Sequence, residues 1–156
     1  MDNLTYGWDG ADPLAVELTK PITHVSIEFE PHGKPMYITL WRRDGSGLQV
    51  HSELREIAER MEIGVLCFTH VKSPSVGEVV LCIAPEFDEQ VDAFKLVAYE
   101  SGTEAESGIV LRARNGSEIT IVAAAFPFMI AINGVGQRPH IYEPEYPLDS
   151  YVRAAF

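Results

Sequence analysis

The side chains able to do chemistry are scattered along this sequence rather than gathered into a motif. Five histidines, His24, His32, His51, His70 and His140, stand apart, and no two have the His-x-x-x-His spacing that stacks ligands on one helix face. Cys67-x-x-His70 falls in a segment with strand character, where residues three apart face opposite sides. Those two are therefore not expected to share a metal. His51 and His70 could meet across neighbouring strands, with Glu53 as a third ligand of the kind zinc takes. Surface or hydrogen-bonded histidines are the more ordinary reading.

Nucleophilic catalysis fares no better. An activated Ser or Cys needs a neighbouring base; Gly-x-Ser-x-Gly is missing, and Gly45-Ser-Gly47 reads as a turn. Asn133-Gly-Val-Gly136 lacks the following helix and the lysine of a phosphate loop. The carboxylate pairs Glu104/Glu106 and Glu143/Glu145 are spaced for acid–base work, but an acidic chain has many such pairs on solvated faces. No catalytic residue, metal or cofactor is predicted.

The segment from His140 to Tyr151 carries the clearest surface signal. It interleaves aromatics with carboxylates, and tyrosines offer rigid amphipathic area suited to interfaces. His140, Tyr142, Glu143, Glu145 and Tyr146 are the predicted protein-interaction residues. The competing reading has Tyr142, Tyr146 and Tyr151 pinning the tail to the body of the protein.

The chain has 12 Lys and Arg against 23 Asp and Glu, a formal charge of −11. That balance argues against DNA, RNA or anionic membrane as partners, since each needs a positive surface to displace counterions. It permits a basic protein partner, self-association or simple solubility. No window reaches 18 apolar residues, and the N-terminus lacks the basic and apolar regions of an export signal. The expected location is the cytoplasm. Cys67 and Cys82 each lie in an apolar run and are expected to behave as small hydrophobes.

A hydrophobic share of 46% over 156 residues is enough to build one core, so a single domain spanning 1–156 is predicted. Residues 1–20 read as an irregular lead-in and 135–156 as an extended C-terminal tail. Between them, alternating or continuous apolar runs mark strands at 22–30, 36–43, 48–51, 63–71, 78–84, 93–99, 107–113, 118–124 and 128–132. The runs at 63–71 and 78–84 are apolar enough to suggest burial on both faces or the centre of a sheet. Apolar residues Leu54, Ile57, Ala58 and Met61 recur at helical spacing behind Ser52, a potential cap, so the one predicted helix covers 53–61. Asn115-Gly116 between two strands predicts a hairpin closed by a type I′ turn. Together these give a mainly β (α+β) fold, an antiparallel β-sandwich or partial barrel of about nine short strands and one helix.

Glu106-Ser-Gly-Ile-Val-Leu, Asn115-Gly-Ser-Glu-Ile-Thr-Ile-Val, Phe126-Pro and Pro144-Glu-Tyr-Pro-Leu resemble a pattern in uncharacterised bacterial proteins, a domain of unknown function. The resemblance covers about the last third of the chain. Its motifs are turn and strand residues, and it implies a bacterial source without implying an activity.

The functional expectation is a non-enzymatic interaction module that neutralises a basic partner or self-associates. Bacterial immunity proteins, which block toxins, have this profile. The alternative is a small-molecule binder or enzyme whose site lies inside the sheet's curvature, lined by Tyr37, Arg42, His51 and His70.

Overall fold

Three hairpins in this protein close with the same turn, and one glycine position explains all three. The structure, a computed structural model, describes residues 3–59, 61–136 and 140–156. In the turns after Glu30, Arg42 and Ala113, the amide of the first residue donates to the carbonyl of the fifth (Lys34, Ser46, Ser117) at 2.8–2.9 Å. The fourth residue is Gly33, Gly45 or Gly116, with φ of 85°, 87° and 89°. This is a type I turn followed by one left-handed residue, and only glycine enters that region without steric cost. Asn115-Gly116 thus makes the expected hairpin by a different turn, because Asn115 does not take the positive φ that type I′ demands. The type I′ geometry instead occurs at Ser101-Gly102, with φ of 50° and 79°.

The strands that these turns join are β1 (Asn3–Leu4), β2 (His24–Phe29), β3 (Pro35–Trp41), β4 (Gly47–Ala58), β5 (Met61–Val71) and β6 (Val79–Leu81). They continue with β7 (Val91–Glu100), β8 (Thr103–Ala113), β9 (Glu118–Ala123), β10 (Ile130–Asn133), β11 (His140–Ile141) and β12 (Val152–Ala155). One helix, α1 (Leu14–Leu18), precedes β2. Five strands form one sheet in the order β5-β4-β3-β2-β6, and the other runs β11-β10-β9-β8-β7-β12 with β1 added to β8. The fold is mainly β, two largely antiparallel sheets packed as a sandwich and not closed into a barrel. All nine predicted strands are present, and the lead-in and tail contribute β1, α1, β11 and β12.

The helix predicted at 53–61 is a strand. β4 runs unbroken to Ala58 and pairs with β5 from Gly47↔Val71 through Glu56↔Glu62 to Ala58↔Met61. A nine-residue helix without strong caps is marginal alone, whereas β5 offers a long apolar partner with a full ladder of hydrogen bonds. Tertiary pairing decides such a contest. The same segment also reads with period two, His51, Glu53, Arg55 and Ile57 on one face. That period wins.

Of the two readings of the most apolar strands, the centre of a sheet is corrected, since both lie at the edges of the five-stranded sheet. β5 is nevertheless buried from Ile63 to Phe68, because the lead-in and the other sheet cover it. Gly7 donates to the carbonyl of Leu66 at 3.0 Å and accepts from the amide of Phe68 at 2.8 Å. β1, just before it, pairs with Glu104 and Ala105 of β8, so residues 3–7 stitch one sheet to the other. β6 is less protected: Val79 and Val80 are 46% and 62% exposed, and Cys82 just beyond them is exposed rather than buried. Cys67 is buried, and both thiols are free.

Two apolar clusters follow from side-chain alternation along β8 and β9. Ile109, Leu111, Ile119 and Ile121 point between the sheets, where they meet Ile27, Ile38, Leu48, Val50 and Phe68. Val110 and Val122 point the other way, into a second cluster with Leu96, Ala131 and Tyr151. The C-terminal tail covers that second face. Among the described residues, no helix is long and apolar enough to cross a membrane.

Candidate functional site

The β9–β10 hairpin ends in Phe126-Pro127-Phe128, and neither phenylalanine is buried. Phe126 is 47% and Phe128 57% exposed. Phe128 holds φ at 63°, the left-handed region that a bulky side chain enters only at a cost of about 1–3 kcal/mol. The strand-to-strand turn is fixed by the amide of Met129 donating to the carbonyl of Phe126 at 3.2 Å and that of Ala124 donating to Met129 at 3.0 Å. Lys34 lies over the Phe126 ring, 4.2 Å from its centroid.

Phe128 forms one wall of a cleft of about 390 Å³ whose other walls come from β3 and β4: Met36, Tyr37, His51, Glu53, Leu54 and Arg55. The period-two face of β4 explains the polar side. Glu53 receives Arg55 Nη2 at 2.7 Å on Oε2 and faces His51 Nε2 with Oε1 at 3.3 Å. Tyr37 tilts against the His51 ring at a centroid distance of 5.9 Å. The guanidinium of Arg55 and the His51 ring hold the Glu53 carboxyl below its usual range. Directly opposite His51 on β5 is Cys67, whose thiol is pushed up by burial and by the Glu53 carboxylate.

His51 and Tyr37, two of the four residues predicted to line a site in the sheet, therefore share this cleft. The other two do not join them. Arg42 and His70 face Glu17 of α1, at 2.8 and 3.8 Å. Of the trio considered as zinc ligands, His51 and Glu53 meet, His70 stands apart, and Cys67 takes the third place.

The other side of the hairpin carries the tail. A cleft of about 320 Å³, mostly apolar, lies between Val122, Ala131 and Ile132 and the tail residues Tyr142, Pro144 and Leu148. Among the five predicted interaction residues, Glu143 is exposed and Tyr142, Glu145 and Tyr146 are half-buried. The backbone of His140 pairs with Asn133; its side chain lies outside the described residues. Tyr142 has φ at 67° and Glu143 accepts from the amide of Ala125 at 2.9 Å, so these two sit beside the Phe turn. Glu145 and Tyr146 instead hold the tail down. Glu145 accepts from the Gly64 amide at 3.0 and 3.3 Å, and Tyr146 packs edge-on against the buried Tyr151. Gly64 has no room for more: a Cβ there would lie 2.5 Å from that of Ala123 and 2.7 Å from Glu145 Oε2.

Burial pushes the Glu145 carboxyl up, and Glu100 adds to the rise against the opposing hydrogen bonds from Gly64 and Tyr146. The folded protein thus holds this proton more tightly than the unfolded chain. By linkage, the resulting stability is fully present below the ordinary value of 4.5 and is lost as pH rises through the raised one. Glu145→Gln keeps an acceptor for Gly64 and cannot ionise. It is expected to melt at a higher temperature than wild type at pH 7 and to lose the difference at pH 4, which thermal scans across that interval would check.

The exposed, strained Phe126-Pro127-Phe128 turn is a candidate binding feature that the sequence reading did not single out. The available signal was two large aromatics flanking a turn proline, since turns are solvated and rings are not expected there. Comparison with family models, with curated proteins and with solved structures finds no match for this chain.

Proposed function

We propose that the protein is a non-enzymatic binding module that captures a basic protein partner on the Phe126–Phe128 turn and the clefts beside it. The observation that carries this reading is the strained, exposed Phe128 next to exposed Phe126. Strain of this kind persists where the exposed group has work to do, and aromatic side chains dominate the energy of protein interfaces. Acidic charge supplies the complement. Lys20, Arg42, Arg43, Arg55, Lys95, Arg112, Arg114 and Arg153 already pair with carboxylates of this same chain. The excess of −11 is therefore left to the surface, where it would steer a cationic partner. A bacterial immunity-type protein, active in the cytoplasm against a basic toxin, fits this reading.

The test is capture of a partner from the source cell's lysate at several salt concentrations, comparing wild type with Phe126→Ser/Phe128→Ser. The expected partner is basic, is retained by wild type at low salt, and is lost progressively as ionic strength rises. Loss of two aromatic anchors is expected to weaken capture at least about tenfold. Capture indifferent to both salt and the double substitution would remove the reading.

The cleft lined by Tyr37, His51, Glu53 and Arg55 favours a second reading, a small-ligand site. Its volume of about 390 Å³ lies within the range of such pockets.

A further inference from the structure

We infer that His51, Glu53 and Cys67 form a binding site for a single divalent transition-metal ion of the zinc class. This site adjoins a cleft named in the partner-binding reading but rests on its own geometry.

One donor atom from each residue, imidazole nitrogen, carboxylate oxygen and thiol sulfur, lies within 4.8 Å of the other two. The strands produce this convergence. His51 and Cys67 are directly paired across β4 and β5, and Glu53 is two residues along β4, hence on the same face. The His51 Nε2 to Glu53 Oε1 distance of 3.3 Å is close to what two ligands on one tetrahedral ion require, given metal–ligand bonds of about 2.0–2.2 Å. Cys67 Sγ, within 4.8 Å of both, is the third donor.

The surroundings suit an ion as well as the donors do. Nitrogen, oxygen and sulfur together are the mixed set that zinc accepts and that magnesium and calcium do not. A thiolate and a carboxylate cancel the two charges of the ion. Arg55 grips Glu53 by Oε2 and so leaves Oε1 turned to His51, the kind of outer contact that orients a ligating carboxylate. Gly7 closes over the sulfur, where a Cβ would stand 2.6 Å from Cys67 Sγ, so the thiol is shielded on the side away from the cleft. His51 Nε2 faces the carboxylate, while Nδ1 is buried with no hydrogen-bond partner among the described residues. Three protein ligands leave a fourth position, and the cleft beside His51 and Glu53 gives water or a bound group access to it. An open fourth position is the pattern of reactive rather than purely structural zinc sites.

The experiment titrates Co²⁺, then Zn²⁺, into the full chain carrying Cys82→Ser, which removes the exposed thiol. One equivalent of Co²⁺ is expected to give a thiolate-to-cobalt charge-transfer band and the intense visible bands of a tetrahedral ion. Zn²⁺ should abolish these bands by displacement and raise the melting temperature. Adding Cys67→Ala should eliminate the charge-transfer band, while His51→Ala and Glu53→Gln should each weaken binding at least tenfold. If Cys67→Ala fails to fold, Cys67→Ser provides the same test with a hydroxyl in place of the sulfur. A protein that gives no charge-transfer band, or keeps it without Cys67, overturns the site. So does a band that depends on Cys67 but is indifferent to His51 and Glu53, because that would be a lone thiol binding metal.

Discussion

Arg42→Ala is expected to destabilise the protein by about 3 kcal/mol, because it strands a buried carboxylate. Glu17 is 3% exposed and lies on α1, five residues long and far too short to persist alone. Arg42 serves it twice: Nη1 donates to Glu17 Oε2 and Nη2 to the Glu17 backbone carbonyl, both at 2.8 Å. The second bond reinforces a carbonyl that otherwise receives only the long 3.4 Å bond from the Lys20 amide at the end of the helix. Burial alone would push the Glu17 carboxyl up, but hydrogen bonds from Lys20 and Arg42 outweigh it and the value is lowered. The stability from this group is therefore present above 4.5 and lost as pH falls through the lowered value. Lys20 cannot replace Arg42, since its side chain is 42% exposed and exposed pairs contribute about 1 kcal/mol or less. Urea unfolding at pH 7 should show the loss for Arg42→Ala. The double variant Glu17→Leu/Arg42→Met should recover most of it, because replacing a buried pair by apolar groups is often neutral. A cost under about 1 kcal/mol for the single variant would mean that water reaches Glu17 and the pair is not buried.

The strands were legible because period-two patterning and glycine turns are local properties. His24 to Phe29 alternates, Gly33 and Gly45 sit where their turns need them, and no distant residue is required to see this. Pairing partners are another matter. The segment 53–61 satisfied a helical spacing and a strand spacing at once, and only the presence of β5 beside it selects the strand. That single choice hid the candidate metal site, since His51, Glu53 and Cys67 converge only if β4 runs past Glu53 in register with β5. Arg42 and His70 illustrate the same limit. Their residue types suited a polar pocket, but α1 brings Glu17 to them and the group becomes a structural clamp. The position of a strand in its sheet was equally invisible. Apolar composition placed the run at 78–84 in the centre, yet β6 is a short edge whose valines are partly exposed.

The tail shows how one segment can fit two readings. Tyr151 and Tyr146 pack together and Glu145 is fastened to Gly64, which is the pinning role. Tyr142 and Glu143 stay beside the Phe turn, where they are available to a partner. Sequence spacing could not divide the segment, because the division is made by Gly64 and Ala125 on the elements beneath it.

Phe128→Gly separates function from stability most sharply. Glycine enters the left-handed region without the steric penalty, and the ring it removes is 57% exposed, so little buried surface is lost. Relief of the strain is expected to raise stability by about 1 kcal/mol, offset in part by glycine's greater freedom in the unfolded chain. Loss of the ring removes one aromatic anchor of the proposed interface. The direct measurement is to follow urea unfolding and partner capture on the same preparation of wild type and Phe128→Gly. Phe128→Gly is expected to be at least as stable as wild type, with capture about tenfold weaker. A variant that is markedly less stable, or that captures the partner as well as wild type, would contradict a binding role for the Phe126–Phe128 turn.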